Sequence, residues 1–276
     1  MNKNIQSLIK ACEELEVEYS IHHGTNNLVS VGSEGSNYVF VNWTTPLNSQ
    51  SISQLCQDKD YFHSFFSDVI RMPVSLSFLT PYCDEKYFKY LEYKTINEII
   101  NKSESKFKYP MIVKKNRGSL GSNVFKATDR TSLERSLIDI FSKNSSEFDY
   151  IGLVQEYIDI KDEYRVIFVN GEYVFSYQKI IEEANFSGNL SPLHWENSSA
   201  EIITDNNLIK RIKEFCKPMF NKLNIPYCGL DIAIDTNNEL FLIEANSSPG
   251  FNHVIESCGD DNIIDMYKVI IKQLHS

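Results

Sequence analysis

The sequence predicts an α+β fold, helices set between antiparallel hairpins, and three observations predict it. Stretches with apolar residues at helical spacing, such as Ile5, Leu8, Ile9, Cys12 and Leu15, stand between short runs with strand alternation. Asn170-Gly171 divides two such runs, Glu163 to Val169 and Tyr173 to Ile180, and is a strong hairpin signal. No regular strand–helix–strand succession runs along the chain to mark a parallel array. Its 276 residues suffice for one large domain or two small ones.

The elements follow in order. A helix over Ile5 to Val17 stops near Glu18, and strands at Tyr19–His22, Leu28–Val31 and Tyr38–Val41 follow, with Gly24, Gly32 and Gly35 at turns. A doubly wound nucleotide domain does not fit here, because each βαβ unit needs about thirty residues. Residues 1–55 therefore read as a short N-terminal appendage. Ser51 to Phe66 is helical and opens on polar capping residues, Pro73 and Pro81 bracket an extended segment, and Tyr93 to Asn101 is a second short helix. Tyr109 to Lys114 and Val124 to Ala127 are strands around a polar glycine loop. Thr131 to Phe141 is an amphipathic helix capped by Thr128 or Asp129. Ile151 to Ile158 is a strand leading into the Asn170-Gly171 hairpin. Asn185 to Ser199 is a polar loop without periodicity, long enough for a lid or substrate loop. A helix over Leu208 to Leu223, a hairpin within Leu230 to Asn246 and a helix over Ile263 to Leu274 complete the chain.

Composition excludes several classes. A net charge of -10 argues against non-specific nucleic-acid binding. No apolar run is long enough to span a bilayer, and MNKNIQSLIK is no secretory signal. The six cysteines form no CxxC pair and no zinc spacing, so a reduced, cytoplasmic protein is the expectation, with the thiols acting as small buried hydrophobes.

Chemistry concentrates in four places. In the last hairpin, a turn at Thr236-Asn237-Asn238-Glu239 would pair Asp235 with Leu240 and set Asp231 opposite Glu244. One face would then carry Leu230, Ile232, Ile234, Phe241, Ile243 and Ala245. The other would carry Asp231, Glu244 and Asn246, with Ala233, Leu240 and Leu242. Facing carboxylates repel, so this face either lies in water or holds a divalent cation on oxygen ligands. Lys114 ends a strand before Gly118, Ser119, Gly121 and Ser122, a loop that either cradles phosphate or simply turns the chain. It is no Walker loop, because the GK[ST] ending is missing. Glu156, Tyr157, Ile158 and Glu163 could hold an adenine and a ribose, or lie on the surface as solvated acids. Arg165 and Lys179 are single cations on neighbouring strands and suit an anion such as a γ-phosphate or an acidic substrate. His22, His23 and His194 have no ligand partner at metal spacing, and no GxSxG nucleophile motif is present.

The order lysine–glycine loop, EYxxxxxxE, cation, then D…ExN…PG resembles the ATP-grasp superfamily from about Gln57 to Phe251. Within it the chain looks most like the amino-acid and peptide ligases: the ATP-grasp parts of cyanophycin synthetase and bifunctional glutathione synthetase, and the ribosomal-protein glutamate ligases. QDKDYFHSFF before RMPVS resembles their entry helix. The resemblance implies an ATP-grasp fold at 56–276, with a small lid subdomain at about 105–155 and a larger subdomain at about 156–276. It implies ATP and two Mg²⁺ ions, with Mn²⁺ as a substitute. Lys59, Lys114 and the Gly118–Ser122 loop would contact phosphates, Glu156 to Ile158 adenine, and Glu163 ribose. Asp231, Glu244 and Asn246 would bind the metal. Arg165 and Lys179 would meet the γ-phosphate or the substrate carboxylate, and Gly250 would set a backbone amide near the acyl centre. The implied activity is an ADP-forming carboxylate–amine ligase acting on a small molecule or peptide. No nucleic acid or membrane is implied as partner, and a homodimer is left open. A small-molecule kinase and a non-catalytic nucleotide-binding protein are the alternatives.

The chain departs from the family pattern in places. Lys115 replaces the usual proline, the loop ends in Ser122-Asn123 rather than Lys-Gly, and the Asn185, Ser187, Gly188 segment lacks an arginine common in glutamate ligases. Gly229 stands where D-alanine–D-alanine ligases have arginine, which counts against that activity.

Overall fold

A computed structural model of the chain describes residues 1–33, 37–118, 124–145, 148–180 and 199–275. Three antiparallel sheets carry the described strands. β1 (Tyr19–Ile21), β2 (Leu28–Val31) and β3 (Tyr38–Val41) form the first, in sequence order. β4 (Ser75–Leu79), β5 (Met111–Lys115), β6 (Val124–Ala127) and β7 (Ile151–Glu156) form the second, in the order β4-β7-β5-β6. β8 (Ile160–Val169), β9 (Glu172–Ile180), β10 (Ser199–Ile202), β11 (Tyr227–Asp235) and β12 (Leu240–Asn246) form the third, in the order β10-β9-β8-β11-β12. Asn170 (φ 49) and Gly171 (φ 76) make the β8–β9 turn, the left-handed pair that a two-residue hairpin requires.

The five-stranded sheet is covered on both faces, which is why β11 is buried along its whole length. Ile167, Phe175, Tyr177 and Tyr227 on one face share a core with α1 (Lys3–Glu14), the small sheet, and α8 (Asp261–Leu274). The N-terminal elements are thus packed into the body of the large sheet. Val166, Phe168, Leu230 and Ile232 on the other face pack against Phe62 and Phe66 of α3 (Lys59–Phe66) and Ile212 and Met219 of α6 (Asn206–Lys222). The four-stranded sheet has its own core with α4 (Ile96–Lys106) and α5 (Arg130–Phe141), the latter capped by Asp129.

Several sequence expectations need correction. The stretch Ser51 to Phe66 is two helices, α2 (Gln50–Gln57) and α3, because Asp58 leaves helical geometry and caps α3 through Tyr61 N at 3.0 Å. That break puts Lys59 at the start of a helix. β10 and a short α7 (Asn252–Cys258) had no sequence signal, being too brief to show a period. Five cysteines are buried, but Cys258 is exposed, at the end of α7. The last hairpin turns one residue early. Asp235 accepts the amides of Asn237 (2.9 Å) and Glu239 (2.7 Å), and Asn238 (φ 64) takes the left-handed conformation. Ile234 therefore pairs with Leu240, where Asp235 was expected.

A bulge then restores the register, since Ile232 pairs with Leu242 but Asp231 with Glu244. The extra residue is Ile243. Leu240 and Leu242 consequently enter the core with Ile232 and Ile234, and Phe241 and Ile243 do not, the reverse of the alternation expected from the sequence.

Candidate active site

Strand register builds a row of polar side chains across the large sheet. Glu244 on β12 faces Asp231 on β11, Asp231 faces Arg165 on β8, and Arg165 faces Tyr177 on β9. Glu163 and Lys179 stand two residues along β8 and β9 and pair with each other. The Arg165 guanidinium donates to both oxygens of Asp231, through Nε and Nη2, at 2.6 Å each, and Lys179 Nζ lies 3.4 Å from Asp231 Oδ2. Burial opposes ionisation of Asp231, but Arg165 and Lys179 hold its carboxyl well below the usual carboxylate range. Burial also opposes charge on Lys179, which Asp231 and Glu163 overcome, so its pKa is raised.

The four-stranded sheet and α3 supply the opposite wall. Lys59 Nζ donates to Gly118 O at 2.9 Å and lies 3.8 Å from Glu244 Oε2. Asn116 ties the four-stranded sheet to α3, its side-chain Oδ1 accepting from Asp60 N at 2.9 Å. Lys114, on β5, is buried and has no carboxylate within 4.0 Å among the described residues. Burial first, and then neighbouring Lys59, push its pKa down to about 8. Lys59, His63, Lys114, Gln155, Ile243 and Glu244 line a common cleft. Asn246 donates through Nδ2 to Glu244 Oε1 at 3.4 Å, which leaves its carbonyl oxygen to accept.

The structure thus brings together Lys59, Lys114, Gly118, Glu163, Arg165, Lys179, Asp231, Glu244 and Asn246. Four cations stand against three carboxylates in this group, so it favours an anion. Glu156, Tyr157 and Ile158 lie at the crossing between the two larger sheets. The Glu156 carboxylate accepts from Val74 N at 2.7 Å, and the Lys126 ammonium sits 4.1 Å from the centre of the Tyr157 ring. Ser119, Gly121, Ser122 and the Asn185 to Glu196 segment lie outside the described residues. Among the described residues no set of three or more His, Cys, Asp and Glu side chains is gathered as a metal site. The candidate metal donors are instead two carboxylates and an amide. Sequence reasoning missed His63, Asn116 and Tyr177. Each sits at a readable offset from a candidate lysine: one helical turn after Lys59, two residues after Lys114, two before Lys179.

Gly250 follows β12 in the loop Ser247–Phe251, and space in front of its Cα is open. Pro249 of this loop lies on β11. A Cβ built at Gly229 would stand 3.0 Å from Pro249 Cβ and 3.2 Å from Ile167 Cδ1, so this position takes no side chain while the loop keeps its place. Gly229→Ala should destabilise the protein by about 1–3 kcal/mol, the range for overpacking a filled site. Urea unfolding measures it, and an unchanged midpoint would mean the loop yields freely.

A model of the RimK-like ATP-grasp domain matches residues 87–273. Human N-acetylaspartylglutamate synthase A is 25% identical over 176 residues, 63% of this chain and 41% of that protein. D-alanine–D-alanine ligase of Thermosipho africanus is 27% identical over 161 residues, 56% of this chain and 42% of that protein. This chain therefore aligns with about two fifths of each of these relatives. The crystal structure of D-alanine–D-alanine ligase from Bacillus anthracis complexed with ATP superposes with a TM-score of 0.56 at 17% identity, over 84% of this chain and 67% of that one.

Proposed function

Because the chain belongs to the RimK-like ATP-grasp family, we propose that it is an ATP- and Mg²⁺-dependent ligase joining a carboxylate to an amine, with an amino acid or peptide as substrate. The observation that supports this most is Lys114, a buried ammonium without a carboxylate partner among the described residues, facing a cleft with a surplus of cations. An unpaired buried charge is costly and is retained where an anion visits.

In this reading the substrate carboxylate attacks the γ-phosphorus of ATP, ADP leaves, and an acyl phosphate forms. The amine then adds to the acyl carbon, phosphate departs, and the amine proton passes to solvent. Negative charge develops on oxygen in both steps, so fixed cations aid both. Lys59 and Lys114 hold phosphate oxygens, and Glu156 to Ile158 with Glu163 hold the nucleoside. Arg165 and Lys179 neutralise the γ-phosphate or the incoming carboxylate. Gly250 offers its backbone amide to the acyl oxygen. The donors Asp231, Glu244 and Asn246 are all oxygen donors, as a hard divalent cation requires. Asp231 Oδ1 keeps a lone pair beside its bond to Arg165, while Oδ2 meets both Arg165 and Lys179. Asp231, Glu244 and Asn246 would hold magnesium, which would supply charge neutralisation at the phosphates.

Mass spectrometry of products after incubation with ATP, Mg²⁺ and pooled amino acids and dipeptides tests the reading. An amide product with ADP release requiring both acid and amine is expected. A phosphorylated acid that forms without amine and gives no amide would replace it with a kinase.

Lys114 also sets a pH dependence. Its folded pKa of about 8 lies below the ordinary lysine value of 10.5. The unfolded chain therefore binds more protons between these values, and Lys114 makes stability rise as pH goes from about 8 to 10.5. A bound phosphate reverses the preference, so nucleotide should bind with proton uptake near pH 8 and more weakly as pH rises above it. Calorimetry in two buffers of different ionisation enthalpy reads the uptake. Equal heats in both would refute it.

A further inference from the structure

We infer that Asn48 is a positioning residue, holding the Ser247–Phe251 loop against the large sheet so that Gly250 stays in place for acyl transfer. The inference rests on the ligase reading for its catalytic half and on geometry alone for the rest. β12 stops pairing with β11 at Asn246 opposite Gly229, so Tyr227, at the start of β11, has no strand beyond it on that side. The Asn48 amide takes the place of that strand. Its Oδ1 accepts from Tyr227 N at 3.0 Å, and its Nδ2 donates to Tyr227 O at 2.7 Å. The same Nδ2 donates to Ser247 O at 3.2 Å, which ties the departing chain to the strand it has just left.

The far end of the loop is held in the same manner. Phe251 N donates to Asn4 Oδ1 at 3.3 Å, and Asn4 is fully buried in α1. Between these two ties Pro249 rests on Gly229, and the space before Gly250 is open. A five-residue loop fixed at both ends, with its glycine facing open space, suits presentation of a backbone amide. Both fixing side chains come from the N-terminal 55 residues. That region therefore acts as a brace of the catalytic loop, whatever else it binds.

Asn48→Asp tests this. It keeps the acceptor for Tyr227 N, loses both donations, and leaves the phosphate-facing residues untouched. Hydrogen exchange read by mass spectrometry on peptides spanning 247–251 should accelerate at least tenfold, and peptides over Lys59 and Lys114 should not change. With the substrates found by the product screen, kcat should fall at least tenfold, and KM for ATP should stay within about twofold. Unchanged exchange at 247–251 would overturn the brace. Faster exchange with unchanged kcat, or a KM for ATP that rises with the fall in kcat, would overturn the positioning role. Should Asn48→Asp not fold, Asn48→Ser, which leaves room for a bridging water, is read by the same criteria. If the wild type forms no amide with any acid and amine, the ligase reading fails, and the exchange comparison still decides the brace.

Discussion

Asp231→Asn should cost the protein about 3–5 kcal/mol of stability, the range for removing one partner of a buried ion pair. Arg165 and Lys179 both close on Asp231, and the three side chains are 15%, 2% and 5% exposed respectively. The amide would leave Lys179 with Glu163 and Arg165 with the more distant Glu244, without the carboxylate that the two cations share. Urea unfolding at neutral pH measures the loss, and a change under about 1 kcal/mol would show that water reaches the pair in solution. The exposed Arg71–Glu239 pair is the control, because Arg71→Ala should cost no more than about 1 kcal/mol. Acid should reproduce the substitution. The native pKa of Asp231 is depressed, so its contribution is complete above the ordinary carboxylate range and is lost as pH falls below it.

Lys114→Met should move stability and activity in opposite directions. The ammonium is buried without a carboxylate partner among the described residues, and its pKa of about 8 corresponds to a penalty on the order of 3 kcal/mol. Methionine fills similar space without charge, so the free protein should become more stable by up to about that amount, and its stability gain between pH 8 and 10.5 should disappear. ATP-dependent amide formation should fall about 10²–10³-fold, the usual loss when one fixed donor to a developing oxyanion is removed. Thermal unfolding and product formation, measured on the same preparation, check both halves. A less stable variant would show that Lys114 is already paired in solution, and one with wild-type turnover would remove it from the phosphate site.

Much of the fold was legible because it rests on local signals. The Asn170-Gly171 turn, the helical spacing in α1, α5, α6 and α8, and the alternating strands around them depend on a few adjacent residues. The polar row of the site was legible for a similar reason, since strand alternation ties Arg165 to Glu163 and Glu244 to Asn246. The hairpin shows where such reasoning fails. Its pairing next to the turn is shifted by one residue from the expected register and its bulge shifts it back, so Asp231 meets Glu244 as expected although the pairs nearer the turn do not. Asp235 capping the turn and Ile243 leaving the core face are choices made by side chains in three dimensions, and alternation alone carries no trace of them.

The sequence by itself determined the class of the fold, the set of charged residues in the candidate site, and the order in which they arrive. Those follow from local propensity and residue chemistry. Only the tertiary structure decided which charges are paired. Asp231 lies between Arg165 and Lys179, and Lys114 is left with no partner of its own among the described residues. It also decided that two N-terminal asparagines hold a loop some two hundred residues away in the chain. Ion pairing and loop bracing depend on which backbones meet across sheets and on how much water is excluded there, and residues distant in sequence settle both.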